Sequence, residues 1–217
     1  MMMRLATNTT NLIGRTGAHS GTLMNSAEDL IARVRAGDDD AFRLLFERYA
    51  RPIFRFIYSM TGRMDLAEEL SQETFLAAYK SIRSLRNESK IGPWLYGIAR
   101  NVTRKSLRSR RGVAETSITE GLAAEVPPDA MRANTHQLSP DLYLLSKEQH
   151  EAVLGALIRL DEDKRLAFTL KVMQQKSYQE ISEITGSSVA KLKTDVRRAR
   201  LEMRSMLHFL MEVSDEV

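Results

Sequence analysis

Apolar residues recur at helical spacing in two blocks of the chain. Leu30, Ile31 and Val34 mark a short amphipathic helix that begins at Ala27 and stops near Gly37, and Asp38, Asp39 and Asp40 suit the positive end of a second. In that second helix Phe42, Leu45, Phe46, Tyr49, Ile53, Phe54, Phe56 and Ile57 keep the period through Thr61, and Pro52 predicts a kink because its ring removes a backbone donor. Asp65 with Glu68 three residues later predicts a reciprocal cap for a third helix reaching about Leu85, with Leu66, Leu70, Phe75, Ala78 and Ile82 inward. After the polar stretch 86–90, Pro93 fits a first helical turn. Trp94, Leu95, Ile98 and Val102 then give the inner face of a fourth helix, which ends in the basic run 104–111.

The second block predicts helices over about 142–158, 161–173, 177–185 and 188–211. No segment alternates with period two over a useful length. The fold class is therefore all-α, as two small helical domains, 27–112 and 141–217. Between them 113–140, with Pro127, Pro128, Pro140 and scattered acids, reads as a flexible acidic linker. Residues 1–26 lack a hydrophobic period and read as a disordered tail without the apolar core of a secretory signal, and Met24 is an alternative start.

Composition removes several classes of function. With 43% apolar residues in 217, a packed core is expected. Without cysteine there is no disulfide scaffold, thiolate zinc site or cysteine nucleophile. His19, His136, His150 and His208 lie too far apart for a helical metal pair, so neither metal nor cofactor is expected. No apolar run approaches the roughly 18 residues of a membrane span, which predicts no membrane insertion. The net charge of +4 conceals an uneven distribution: 27–112 is strongly basic, 113–140 acidic, and 141–217 almost balanced.

The sharpest local signal runs from Ser177-Tyr178-Gln179-Glu180-Ile181 through Gly186 to Ser187-Ser188-Val189. Ser177 and Glu180 form a capping box, and Gly186 permits the left-handed turn that ends a short helix. In the helix that follows, Val189, Leu192, Val196, Ala199 and Met203 share one face, while Lys191, Lys193, Thr194, Arg197, Arg198 and Arg200 lie largely outside it. Two such helices describe a helix-turn-helix whose second member enters a major groove, or else a helical hairpin with a solvated face. Arg100, Arg104, Lys105, Arg108, Arg110 and Arg111 form a phosphate track or simply favour a helix C-terminus. Glu68, Glu69, Gln72 and Glu73 make an acidic face: a solvated surface, a docking site for a basic partner or, least well supported, a catalytic pair. Trp94 and Tyr96, preceded by Asn87, Glu88 and Ser89, are candidates for holding an unstacked base. Trp94 reads as core-facing, which favours the loop. Gly14, Gly17 and Gly21 match no phosphate-binding spacing.

Together these segments resemble the sigma-70 family of bacterial RNA polymerase initiation factors, in its extracytoplasmic-function (ECF) type. Asp38-Asp39-Asp40-Ala41-Phe42, Ala67-Glu68-Glu69-Leu70-Ser71-Gln72-Glu73-Thr74-Phe75 and Trp94-Leu95-Tyr96-Gly97-Ile98-Ala99-Arg100-Asn101 are similar to region 2. Ser177-Tyr178-Gln179-Glu180-Ile181 through Arg197-Arg198-Ala199-Arg200 is similar to region 4. The resemblance implies a non-enzymatic, cytoplasmic factor that binds core RNA polymerase, at the beta-prime clamp and the beta flap, and directs it to promoter DNA. By the same resemblance Glu68, Glu69, Gln72 and Glu73 dock on the clamp. Lys80, Arg83, Arg86, Asn87, Glu88, Ser89, Lys90, Arg100, Asn101, Arg104 and Lys105 capture and melt the minus-10 element. Ser187, Ser188, Lys191, Lys193, Thr194, Arg197, Arg198 and Arg200 read the minus-35 element. An anti-sigma factor is an implied partner. The chain departs from the family pattern at Glu69, where Asp is usual, at Ile91-Gly92-Pro93 for Phe-Arg-Thr, and at Gln175-Lys176 for Gly-Leu. It departs again at Lys191 and Asp195, where Thr and a frequent Arg stand. The alternatives are a stand-alone helix-turn-helix regulator with an N-terminal sensing or dimerisation domain, and a helical interaction protein without nucleic-acid activity.

Overall fold

The computed structural model describes residues 26–114 and 140–208, with side chains over 26–110 and 148–208. The expected tail and linker lie outside the described residues apart from a few boundary positions, and the last helix, expected to reach about Met211, ends at Met206. Within them eight helices follow in order: α1 Ala27–Arg35, α2 Asp39–Thr61, α3 Met64–Ser81, α4 Ile91–Ala114, α5 Pro140–Arg159, α6 Glu162–Phe168, α7 Tyr178–Thr185 and α8 Val189–Met206.

Most of the ends have a chemical cause. Ser26 and Asp38 accept backbone N–H bonds at the starts of α1 and α2, at 3.1 Å each. Gly62, at φ 69°, ends α2 with its N–H on the Tyr58 carbonyl, and α2 runs unbroken through Pro52. The reciprocal cap expected at Asp65 and Glu68 is not formed. α3 starts two residues earlier, after an extended Arg63 that supplies no side-chain cap, because the glycine turn returns the chain to helix at once. Asp65 instead pairs with Arg63 at 2.5 Å. α3 also stops sooner than expected, at Ser81, and two 3-10 turns, Ile82–Ser84 and Glu88–Lys90, carry the chain into α4.

In the second block the capping box forms as read: Ser177 Oγ accepts from Glu180 N at 3.1 Å, and Glu180 Oε2 accepts from Ser177 N at 2.8 Å. Gly186 adopts φ 74° and closes α7. α6 continues into a π turn, Thr169–Met173. Just beyond it Gln175 takes φ 54°, the left-handed region where a side chain is strained.

The hydrophobic core joins both blocks. Leu30, Ile31, Ile53, Phe56, Ile57, Leu66, Leu70 and Leu95 from the first pack in one cluster with Leu166, Leu170, Ile181, Ile184, Leu192 and Val196 from the second. A smaller cluster, Ala156, Leu157, Leu160, Ala199 and Met203, ties α5 to α8. Arg165, buried on α6, donates to the Met60 carbonyl in the last turn of α2 at 2.7 Å and to the Leu160 carbonyl at 3.0 Å. One guanidinium thus satisfies carbonyls at the C-terminal ends of two helices, where the macrodipole favours a cation.

Candidate nucleic-acid and partner interface

Three exposed surfaces carry the residues singled out in the sequence. The first is the outer face of α3. Leu66, Leu70, Phe75 and Ala78 turn into the core, which leaves Glu68, Glu69, Gln72 and Glu73 in solvent. Arg110 of α4 approaches Glu69 at 3.8 Å. The face is not purely acidic. Leu76 is 54% exposed, and Phe46 and Tyr79 beside it are each more than 40% exposed. Phe46 meets Phe75 edge-on at 4.8 Å and Tyr79 meets Phe42 at 4.9 Å, so these rings are held in place while their outer faces stay uncovered. The sequence reading missed this apolar strip, whose signal was Leu76 one helical turn after Gln72 and Glu73.

The second surface surrounds a cavity of about 520 Å³ lined by Arg86, Asn87, Lys90, Trp94, Asn101 and Glu183, among others. Trp94 is here, half-buried: it packs against the core as its spacing predicts and also lines the cavity, while Tyr96 is fully buried. The cause is helical phase: Leu95 and Tyr96 take the inward positions at the start of α4, leaving Trp94 at the rim. The loop residues divide by role. Asn87 accepts from Ser89 N at 3.0 Å and from Ser89 Oγ at 2.7 Å, and Glu88 pairs with Arg35 of α1 at 2.7 Å. Arg35 also donates to the Leu85 carbonyl. Asn87, Glu88 and Ser89 therefore shape the loop, while Arg86 is exposed and Lys90 pairs across the cavity with Glu183 at 2.7 Å. Lys80, Arg83 and Lys105 are exposed nearby in sequence, and Arg100 and Arg104 on α4 are half-buried. Burial lowers the Arg100 pKa from its ordinary value, and the neighbouring Arg104 charge adds to this.

The third surface is α8. Leu192, Val196, Ala199 and Met203 are buried, and Lys191, Lys193, Thr194, Arg197, Arg198 and Arg200 are exposed, as the periodicity requires. Ser188 caps the helix through Lys191 N at 3.3 Å, and Ser187 N donates to Thr185 Oγ1 at 3.1 Å, so both serines help build the turn. Lys191 is engaged: its ammonium bridges Asp195 at 2.7 Å and Asp163 at 2.9 Å. The bonds to Asp195 and Asp163 raise the Lys191 pKa, and the bond from Lys191 holds the Asp163 carboxyl below its usual range.

Contacts between the blocks were not legible in the sequence. The Tyr96 hydroxyl donates to Gln174 Oε1 at 2.7 Å, with Lys176 Nζ 5.0 Å from its ring centre, and burial pushes the Tyr96 pKa up. Gln174 and Lys176 flank the left-handed Gln175, in the segment where the chain departs from the family pattern. Among the described residues no cluster of His, Asp or Glu is placed to hold a metal ion, and no helix is long and apolar enough to cross a membrane.

Sequence models of sigma-70 region 2 and sigma-70 region 4 match residues 45–113 and 150–203, the two segments that carry these surfaces. The chain belongs to the sigma-70 family. It is a sigma factor of the ECF type. It is 31% identical over 186 residues to the ECF RNA polymerase sigma factor SigW of Bacillus subtilis, covering 83% of this chain and 96% of that one. It is 32% identical over 187 residues to the ECF RNA polymerase sigma-E factor of Haemophilus influenzae, covering 84% and 95%. Among solved structures, the sigma factor RpoE of Bartonella quintana, crystallised with the anti-sigma factor NepR, superposes with a TM-score of 0.62 at 25% identity, over 77% of this chain and 96% of that one. In this sigma factor the region 2 match runs from within α2 into α4, and the region 4 match from within α5 to α8.

Proposed function

We propose that this sigma factor directs core RNA polymerase to promoters by three contacts, one for each surface. The outer face of α3 docks on the polymerase, with Glu68, Glu69, Gln72 and Glu73 supplying charge and register and the Leu76, Phe46 and Tyr79 strip supplying apolar area. The cavity beside Trp94 takes an unstacked minus-10 base, with Arg86, Lys90 and the α4 cations on the flanking backbone. Asn87, Glu88 and Ser89 act there mainly by fixing the loop. Region 4 enters the minus-35 major groove with α8, led by Lys193, Thr194, Arg197, Arg198 and Arg200. The domains of action are 27–112 and 141–217, with 113–140 as connector. The protein works in the cytoplasm, carries out no bond chemistry of its own, and is held in check by an anti-sigma factor.

The observation that carries this reading is the cavity: an aromatic wall and two cations at the mouth of a basic helix accept one base and its phosphates. Promoter-dependent transcription with purified core enzyme tests it. Promoters should be bound well only when core polymerase is present. Tight binding of duplex operator by the free chain would instead identify a stand-alone regulator. Gln72→Ala with Glu73→Ala should weaken core binding at unchanged thermal stability, and undiminished polymerase affinity would remove α3 from the docking site.

A further inference from the structure

Arg35, the last residue of α1, reaches out of its own helix to the loop that forms one wall of the Trp94 cavity. One arm of its guanidinium, Nη1, donates to Glu88 Oε1 at 2.7 Å, and the other, Nη2, donates to the Leu85 carbonyl. These two acceptors bracket Arg86 and Asn87, which line the cavity together with Leu85 and Lys90. Glu88 also opens the 3-10 turn Glu88–Lys90, which runs directly into Ile91 and α4. The Asn87 to Ser89 bonds lie within the loop and set its local turn, whereas Arg35 ties it to a different helix. The anchor itself is fixed. Leu30, Ile31 and Val34 bury the inner face of α1 in the core, and Arg33 grips Asp38, the cap of α2, at 2.8 and 2.9 Å. The Arg35 and Glu88 side chains are 31% and 32% exposed, so the pair is better shielded than a surface ion pair and holds one geometry.

We infer that Arg35 is a positioning residue for promoter reading: by gripping the loop on both sides of Arg86 and Asn87, it sets the width and orientation of the cavity that takes the minus-10 base. This rests on the reading of that cavity as the minus-10 site. α1 ends before residue 45, where the region 2 sequence match begins, and supplies no lining residue of the cavity. Its part is to hold the wall. The chemistry calls for arginine, since a planar guanidinium satisfies a carboxylate and a carbonyl at once, while a lysine ammonium would neutralise Glu88 and hold only one of the two ends. A loop free to shift by about 1 Å loses much of the discrimination its hydrogen-bonding groups supply. Arg35 therefore acts on how well a base is told from its competitors, and not on how polymerase is bound.

The test uses holoenzyme assembled from the full chain and purified core polymerase, with a duplex DNA library randomised across the minus-10 and minus-35 blocks. Bound DNA is recovered and sequenced. Arg35→Ala should lower the base preference at one minus-10 position about tenfold, the order of a single base contact, with minus-35 preferences and core affinity as in wild type. Arg35→Lys should fall between the two. Glu88→Ala added to Arg35→Ala should cost nothing further, because both remove the same tie. Arg43→Ala, which removes an exposed arginine paired with Asp40 and Glu47 on α2, is the control and should leave every base preference unchanged. Thermal melting establishes that each variant is folded, and Arg35→Lys carries the test alone if Arg35→Ala is not. An arginine with a merely structural role would weaken stability and binding evenly and leave relative base preferences intact. That outcome overturns the proposal, as does an additive loss in the double variant. Failure of the underlying reading shows separately: holoenzyme carrying Arg86→Ala with Lys90→Ala would then select the same minus-10 bases as wild type.

Discussion

Arg165 shows how much one side chain can hold. Its guanidinium is buried and donates to the ends of two helices that belong to different regions. Arg165→Met keeps much of the volume but strands the Met60 and Leu160 carbonyls, and the expected loss is about 2 to 3 kcal/mol in denaturant unfolding. A loss within a few tenths would mean that water replaces it freely. His150 on α5 is half-buried and stacks on Tyr58, with 6.4 Å between ring centres. Burial lowers its pKa from 6.5, against the opposing pull of Glu151. Since the folded state binds this proton more weakly than the unfolded state, stability is fully present above about pH 6.5 and is lost as pH falls below it. Melting temperature measured from pH 7.5 to 5.5 should therefore drop less in His150→Phe than in wild type. Neither role was legible in the sequence. Arg165 sits among Leu166 and Leu170 as a polar interruption of an apolar stripe, and nothing in a periodicity says which carbonyls lie opposite.

At the scale of elements, local chemistry was readable where it is complete within a few residues. The Ser177 and Glu180 box closes on itself, so its four-residue signature suffices. The same signature at Asp65 and Glu68 failed because the left-handed turn at Gly62 had already fixed where α3 begins. The two sites should respond differently. Ser177→Ala should cost about 1 kcal/mol, since an N–H of α7 loses its acceptor, whereas Asp65→Ala should cost only a few tenths, the value of an exposed pair. Chemical denaturation of both variants separates them, and equal losses would contradict the capping geometry. The left-handed Gln175 gives a physical reason for the glycine usual there in the family. This chain keeps the turn with a strained residue and uses its neighbours, Gln174 and Lys176, to grip Tyr96.

For the whole molecule, hydrophobic pattern told which faces are buried but not against what. Ile184 and Leu166 look satisfied by a region 4 core of their own, and the sequence therefore reads as two separate domains. In the structure they share one cluster with Phe56 and Leu95. Charge arithmetic has the same blind spot: part of the basic excess of region 2 is already neutralised, because Lys90 and Arg104 face region 4 acids. A shared core makes a calorimetric demand. Opening region 4 exposes apolar surface on both sides at once, so unfolding one region removes support from the other, and the free chain should melt in a single transition. Its calorimetric enthalpy should equal the van't Hoff enthalpy. Two resolved transitions, or a calorimetric enthalpy well above the van't Hoff value, would mean that the shared cluster is too weak to couple the regions. The ion pairs across it contribute less to this coupling than the apolar contact, since each exposed pair adds only about 0.2 to 1 kcal/mol and is screened by salt. The single transition should accordingly survive added sodium chloride, while the partly exposed Lys90–Glu183 contact is the first to loosen.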